Sequence, residues 1–369
     1  MGSRIDETIA RQVTVVIPNY NGKDFLKACL ESVLAGDLVP AVLVVDNGSD
    51  DGSLELLAAH FPQVQVAPLP VNTGFCHAVN TGIRLTRTRF VMLLNNDTVV
   101  DAACVRELAL ALFTDDRAFS AQAKMRSLRD PSVLDGAGDF YCALGWAYAR
   151  GKAQSAERYN KKQAIFSACA GAAMYRREVF EEIGYFDERH FCYLEDVDIG
   201  YRAKLFGYRN LYVPAAVVDH WGSAASGAVH NPFKEEMTAG NNAYLLYKNM
   251  PVGQFVLNAP LLWLGREIKR HYFAGKGLGK AYNTGIERGR LLRERAKAMQ
   301  WAKEAGTPLP KAALAKEAAL PEDALGRTPA EKINPLYLGE KQPFALRRLP
   351  RYAGIQMELW ANTLRRLFS

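Results

Sequence analysis

The stretch from Phe90 to Asp97 constrains this chain most. Phe90-Val-Met-Leu-Leu94 is a run of five apolar residues, and Asn95, Asn96 and Asp97 stop it. A short unbroken apolar run with polar bounds reads as a strand buried on both faces. Open α/β sheets place their chemistry just beyond the carboxyl ends of such strands. Asp97 is therefore expected at the lip of a central strand, its carboxylate facing a cleft. A carboxylate there can hold a hard divalent cation, and the cation a diphosphate. The competing reading is a plain strand-to-helix turn capped by Asp97 or Thr98.

Three similar runs precede it, at Val13–Pro18, Val42–Val45 and Val64–Ala67. Between them lie helix-like stretches: Asp24 caps one through about Ala35, Ser53 starts one to about His60, and Asn72-Thr-Gly74 opens one to about Arg84. A further helix is read over Asp101–Phe113. Strand and helix alternating in this way predict an α/β fold with a mostly parallel sheet, helices on both faces and right-handed crossovers. The polar clusters at Asn19-Tyr-Asn-Gly22, Asp46–Gly52 and Asn95–Asp97 then share one sheet edge.

The second half is less regular. Phe119, Ala121, Ala123 and Met125 alternate as in a strand, and residues 127–165 read as a loop-rich insert. Ala168–Ala173 is a run of small residues that lets backbone or ligand approach closely. Arg177–Ile183 reads as a short helix, and another begins near Tyr193-Leu-Glu-Asp-Val-Asp198. Leu211–Val213 and Ala216–Val218 read as two short strands, the second leading into Asp219-His-Trp-Gly-Ser223.

Charge divides the chain. Residues 1–235 hold 24 Lys+Arg against 28 Asp+Glu, a balance of −4; residues 236–369 hold 22 against 11, a balance of +11. A near-neutral globule with a basic, helical extension predicts that the extension meets something anionic. Phe255–Leu264 is apolar, too short to span a bilayer, and is followed by Arg266, Lys269, Arg270 and Tyr272, as in an interfacial anchor. The alternative is that these helices pack on the catalytic domain or in a homodimer. Basic runs without interleaved aromatics in a known fold argue against nucleic acid.

The six cysteines are dispersed, with no Cys-x-x-Cys pair, which disfavours structural zinc and a disulfide framework and fits a reducing cytosol. Met1–Gln12 is polar and no signal segment follows it. A cytoplasmic protein, peripheral at the inner face of the cytoplasmic membrane, is the expectation. There is neither a Gly-x-Gly-x-x-Gly nor a P-loop lysine.

Each chemical candidate has an ordinary alternative. Asp46 can accept a hydrogen bond from a base N–H or simply serve a turn. Glu195, Asp196 and Asp198 cannot all face one site, because helix positions two apart diverge; one can act as a base while another only stabilises the helix start. His220 is a metal ligand or a structural histidine. Together, two strand-end carboxylates, a late histidine and an acidic helix start fit sugar transfer from a nucleoside diphosphate sugar.

Val15-Val-Ile-Pro-Asn-Tyr-Asn-Gly22, Val44-Val-Asp-Asn-Gly-Ser-Asp-Asp-Gly52, Asn72-Thr-Gly-Phe75, Leu93-Leu-Asn-Asn-Asp-Thr98, Gly184-Tyr-Phe-Asp187, Leu194-Glu-Asp-Val-Asp198 and Val218-Asp-His220 follow one another in an order and spacing that resemble glycosyltransferase family 2, and most closely its rhamnosyltransferase-like bacterial branch. The resemblance covers about residues 13–225. It implies a GT-A fold and inverting, metal-dependent transfer from a nucleotide sugar. It implies that Pro18, Asn19, Tyr20, Asp46, Asn47, Asn72, Gly74, Asn95 and Asn96 line the nucleotide sugar. Asp97 and His220 would hold Mg²⁺ or Mn²⁺, and Asp196, with Glu195 beside it, would be the catalytic base. Asn95 replaces the first acid of the family's Asp-x-Asp pattern, which lowers the charge beside the metal.

The implied donor is a dTDP- or UDP-sugar, L-rhamnose first. The acceptor would be a glycan or lipid-linked glycan of a bacterial surface polysaccharide. The expected organisation is a polar segment at 1–12, a GT-A domain at 13–235 and an extension at 236–369. Two rivals remain: a sugar-1-phosphate nucleotidyltransferase, which needs a basic glycine-rich triphosphate loop where Asn19–Gly22 stands, and a non-catalytic nucleotide-sugar-binding partner of a membrane assembly.

Overall fold

A computed structural model describes residues 7–222, 230–305 and 345–368. The chain forms two compact units. The first comprises Met1–Phe140, Tyr148–Ile183 and Gly207–Ala225; the second comprises Tyr141–Ala147, Gly184–Phe206 and Ser226–Ser369.

The first unit is built on a sheet. Its elements are β1 (Val13–Asn19), α1 (Lys23–Leu34), β2 (Ala41–Asp46), α2 (Ser53–His60), β3 (Gln65–Pro68), α3 (Phe75–Leu85), β4 (Phe90–Leu94), β5 (Thr98–Val100), α4 (Cys104–Phe113), β6 (Ala118–Ser127) and β7 (Asp130–Gly136). Short strands β8 (Asp139–Tyr141) and β9 (Ala147–Ala149) follow. Then come β10 (Gln163–Ile165), β11 (Ala172–Arg176), α5 (Val179–Ile183) and β12 (Arg209–His220). The sheet runs β3-β2-β1-β4-β11-β6-β12-β10, with β5 on β12 and β7 on β6. β1, β2, β3 and β4 pair in parallel, as the alternation predicts. β11 is antiparallel to both β4 and β6, so the sheet is mixed.

Period-two alternation decides which helix covers which face. Val13, Val15 and Ile17 share a buried cluster with Leu26, Leu30 and Val33 of α1 and Leu108 and Leu112 of α4. Val16 points the other way, toward α3. A Cβ on Gly82 would lie 2.2 Å from Val16 Cγ1, so only glycine lets α3 settle this close to the sheet.

Several local expectations change. Asp24 does not cap α1: Asp51 Oδ2, reaching across from the β2–α2 loop, accepts the Lys23 N–H at 2.8 Å. Asp97 and Thr98 cap no helix either, because Thr98 starts β5. Residues 211–218 form one strand, not two. Its register on β6 shifts between Val213 and Val217, where Pro214 lacks the N–H a regular ladder would use.

The second unit is helical: α6 (Glu195–Phe206), α7 (Pro232–Asn249), α8 (Val252–Gly275), α9 (Gly279–Ala305) and α10 (Leu349–Phe368). Asn231 caps α7, its Oδ1 accepting the Lys234 N–H at 2.8 Å. α7 and α9 meet along glycines. A Cβ on Gly285 would lie 2.3 Å from the Glu236 carbonyl oxygen, and one on Gly289 would lie 2.5 Å from that of Gly240. No described helix is long and apolar enough to cross a membrane.

Candidate functional site

In the first unit the strand-end residues are wired together by amides. Asn19, at the end of β1, donates from Nδ2 to Asp46 Oδ2 (3.0 Å) and to Ser49 Oγ (3.2 Å). Its Oδ1 accepts from Asn96 Nδ2 at 2.7 Å. Asp46, buried at the end of β2, also accepts the Ser49 N–H at 3.0 Å. Asn47 joins the next loop: its Nδ2 donates to Asn72 Oδ1 (3.0 Å) and to the Gly74 carbonyl (3.3 Å), while its Oδ1 accepts the Thr73 N–H (2.9 Å). Gly74 sits at φ +86°, which glycine adopts at little cost. Asn19, Asp46, Asn47, Asn72, Gly74 and Asn96 thus belong to one hydrogen-bonded lip across β2, β1 and β4. Pro18 is half-buried beside it, paired in register with Val45, and Tyr20 is exposed.

Asn95 lies deeper. Its N–H donates to the Gly171 carbonyl at 2.9 Å. Its side-chain nitrogen lies 3.0 Å from where a Gly171 Cβ would be, so the small-residue run serves close approach.

Antiparallel pairing of β5 with β12 sets His220 opposite Thr98 and brings it to Asp97. His220 Nε2 lies 3.2 Å from Asp97 Oδ1, and His220 Nδ1 lies 2.8 Å from Asp135 Oδ2. Burial pulls the imidazole pKa down, but hydrogen bonds to Asp135 and Asp97 outweigh it and lift it to about 9. Burial pushes the Asp135 carboxyl up, but His220 and Lys152 hold it below the usual carboxylate range. The next residues brace this corner. Asp219 pairs with Arg126 at 2.7 and 2.9 Å. Trp221 donates its N–H to the Asp97 carbonyl at 2.9 Å, and its ring packs on Phe25 and under Arg129. Ser223 lies outside the described residues.

The donor set suits a hard or borderline cation. Asp135 engages Nδ1, which leaves Nε2, next to a carboxylate oxygen, as the nitrogen that could ligate a cation. A carboxylate behind a ligating histidine is the usual way of fixing its tautomer and orientation. Asp135 was not singled out from the sequence. It sits on β7, within the stretch read as a loop, and no local pattern marks it.

In the second unit the three acids of α6 separate. Asp198 is fully buried and accepts from Lys248 (2.8 Å), Arg202 (2.9 and 3.1 Å) and Asn249 (2.7 Å). Glu195 is buried, and its Oε2 has no hydrogen-bond partner among the described residues; burial first, and then the neighbouring Asp196, push its pKa well above the ordinary value. Asp196 is half-buried, and its Oδ1 accepts the Val197 N–H at 2.7 Å. Of the three, Asp196 alone is partly accessible to solvent.

The backbone leading into these acids is strained. Phe191 lies at φ +60°, ψ −64°, and the Cys192 N–H donates to the His190 carbonyl at 2.7 Å, a γ-turn of the rare positive-φ kind. Tyr193 and Leu194 follow at φ +69° and +64°. Such residues cost about 1–3 kcal/mol each and persist where the surroundings over-determine them. Asn241 of α7 supplies that restraint: its Nδ2 lies 2.8–2.9 Å from the carbonyl oxygens of His190, Cys192 and Tyr193. Arg288 of α9 donates to Asn241 Oδ1 (2.8 Å) and to the Arg189 carbonyl (2.9 Å). Below them Asp187 accepts from Arg189, Tyr244 and Lys248. Asn241, Lys248 and Arg288 escaped the sequence reading because polar residues on basic helices read as solvated positions.

Known proteins give this geometry a context. Residues 14–184 match the family described as Glycosyl transferase family 2. The chain is 28% identical over 279 residues to the N-acetylglucosaminyl-diphospho-decaprenol L-rhamnosyltransferase of Mycobacterium tuberculosis, across 68% of this chain and 87% of that protein. It is 26% identical to rhamnosyltransferase WbbL of Escherichia coli K12, across 57% of this chain and 83% of that protein. The structure resembles that of GalNAc-T7 with UDP, GalNAc and Mn²⁺, with a TM-score of 0.53 and 15% identity over 82% of this chain and 59% of the other. At that identity the likeness speaks for the GT-A fold. The ordered motifs, the mixed sheet and these matches agree: residues 14–184 form a glycosyltransferase family 2 domain of GT-A fold, and the chain is a glycosyltransferase similar to rhamnosyltransferases.

Proposed function

We propose that this enzyme moves a sugar from a dTDP- or UDP-sugar, with L-rhamnose the first candidate, to a hydroxyl of a glycan or lipid-linked glycan acceptor in bacterial surface polysaccharide synthesis. The observation that carries the reading is the Asp97–His220 pair, set 3.2 Å apart at the strand-end edge and oriented by Asp135. Asp97 and His220 would hold a divalent cation, Mg²⁺ or Mn²⁺. The cation, when bound, offsets charge on the departing diphosphate. The M. tuberculosis relative, whose name gives an L-rhamnosyl donor group and a decaprenol-linked acceptor, supports the choice of sugar and acceptor class.

The chain's own groups have distinct tasks in this scheme. Asp46 meets the base, and Pro18, Asn19, Tyr20, Asn47, Asn72, Gly74, Asn95 and Asn96 line the nucleotide sugar. Asp196 takes the proton from the acceptor hydroxyl as that oxygen attacks the anomeric carbon, and the bond to the diphosphate breaks in the same displacement. Glu195, held toward its neutral form, leaves Asp196 as the acceptor of that proton. We assign the catalytic domain to residues 13–235 and the extension to 236–369.

Thermal shift with a panel of nucleotide sugars and Mn²⁺ or Mg²⁺ tests the donor and metal assignment. One dTDP- or UDP-sugar is expected to stabilise the wild type only with metal, and Asp97→Ala not at all. Asp196→Asn is expected to bind donor and transfer nothing. Full transfer by Asp196→Asn overturns the base assignment, and metal-independent stabilisation overturns the metal site.

A further inference from the structure

We propose that the outer faces of α8 and α10 form one surface that docks on an anionic phospholipid bilayer. Both helices belong to the second unit, and their outer faces are the same whatever sugar or acceptor the active site takes.

α10 has two apolar faces. One is buried, with Tyr352, Ile355 and Leu359 turned inward. The other carries Leu349, Met357, Trp360, Leu364 and Leu367, spaced at helical period, and these are 42–64% exposed. α8 repeats the pattern: Val252, Val256 and Trp263 lie along one stripe and are 59–66% exposed. Scattered surface hydrophobics are ordinary, but continuous stripes with tryptophan on two adjoining helices are not.

Buried amides fasten the two helices together. Asn258 and Gln356 exchange hydrogen bonds at 2.8 and 2.9 Å, and Trp360 Nε1 donates to Asn258 Oδ1 at 3.1 Å. That bond points the polar edge of the Trp360 indole inward and leaves ring surface outside. The stripes are therefore a fixed feature of the second unit.

Charge selects the occupant. Val252–Gly275 and Leu346–Phe368 carry eight Lys+Arg against Glu267 and Glu358. Both acids are paired: Glu267 with Arg270 at 2.7 Å and Glu358 with Lys204 at 2.9 Å. Arg266 and Arg270 follow Trp263 along α8, and Arg365 and Arg366 sit between Leu364 and Leu367 on α10. A second copy of the same surface would meet it with like charge. An anionic headgroup layer complements it, with the apolar stripes entering the acyl boundary and the arginines at headgroup level. Neither helix is long and apolar enough to span.

The test is co-sedimentation of the full chain with vesicles of phosphatidylcholine alone or mixed with phosphatidylglycerol. Binding to the anionic vesicles, weakened by salt and accompanied by a blue shift of tryptophan emission, is the expected result. Trp263→Ser with Leu364→Ser is expected to reduce partitioning by ~10-fold or more, since each removes apolar surface from the boundary. Both positions are exposed, so an unchanged melting temperature will show that the fold is kept. The proposal is overturned if the wild type ignores anionic vesicles, or if the double variant binds them equally well. It is also overturned if sedimentation equilibrium shows a dimer that the double variant dissolves, since a second copy then covers the face.

Discussion

Lys248→Met is the sharpest test of how the second unit is held together. The Lys248 ammonium is fully buried, 2.9 Å from Asp187 Oδ2 and 2.8 Å from Asp198 Oδ2. With an effective dielectric near 20, each contact is a gross attraction of about 6 kcal/mol. Desolvating the ammonium offsets several kcal/mol of that, and Arg189 and Arg202 remain to neutralise the two acids. Methionine keeps the length of the side chain but leaves two buried carboxylates sharing less positive charge. The expected loss is about 3–5 kcal/mol of unfolding free energy, read from urea titration at pH 7. The pH dependence supplies a second readout. Burial pushes the Asp187 and Asp198 carboxyls up, yet their cationic neighbours outweigh it and hold both below the usual range. Their contribution is thus present above the unfolded carboxylate pKa of about 4 and is lost as pH falls through the folded values. Without Lys248 those folded values rise, so the variant should unfold at a higher pH on acidification. A loss below about 1 kcal/mol with an unmoved acid limb would refute this account, since surface-like pairs are worth no more.

Three further outcomes are expected. Asp135→Ala should weaken Mn²⁺ binding by ~10–100-fold, measured by calorimetry, because His220 loses the carboxylate that orients it; unchanged affinity removes Asp135 from the site. Glu195→Gln should be more stable than wild type at pH 8, by about 1.4 kcal/mol for each unit of pH between the glutamate's unfolded pKa and its raised folded value, counted up to pH 8. The glutamate's raised pKa means its contribution is complete below the unfolded value and is lost as pH rises through the folded one, so the variant's stability curve should be flatter on that side; a parallel curve contradicts the burial argument. Asn241→Ala should leave donor binding within ~3-fold while lowering kcat by ~100-fold, as expected when a catalytic group is displaced by about 1 Å; equal losses in donor affinity and kcat would point to general unfolding instead.

The sheet was legible where strands are buried on both faces. β1, β2 and β4 are β-branched or otherwise apolar runs that end at proline, asparagine or aspartate, and they fell where those runs predict. The edge was less legible. Asp130-Pro-Ser-Val-Leu-Asp-Gly136 has no apolar run, because β7 hangs on β6 with much of its length exposed, so it read as a loop. Pro214 made one strand look like two. The divergence of Glu195, Asp196 and Asp198 followed from helical geometry alone. The partners that decide their environments did not. Asn241 and Arg288 lie 47 residues apart on separate helices, and only packing shows that both turn inward to hold backbone carbonyls. Hydropathy treats a buried amide and a solvated one alike.

If Asp46 meets the base as proposed, the amide chain from Asn96 through Asn19 to Asp46 limits how this enzyme could be redirected to another nucleotide. Asn19 spends its oxygen on Asn96 and its nitrogen on Asp46 and Ser49, so neither end is free to be retuned separately. A Cβ on Gly22 would also lie 1.9 Å from the Asn96 amide nitrogen, which closes the obvious room for adjustment. A library that varies Asp46 alone should therefore return mostly inactive proteins. Productive changes of base preference should appear as correlated replacements at positions 19, 46 and 96.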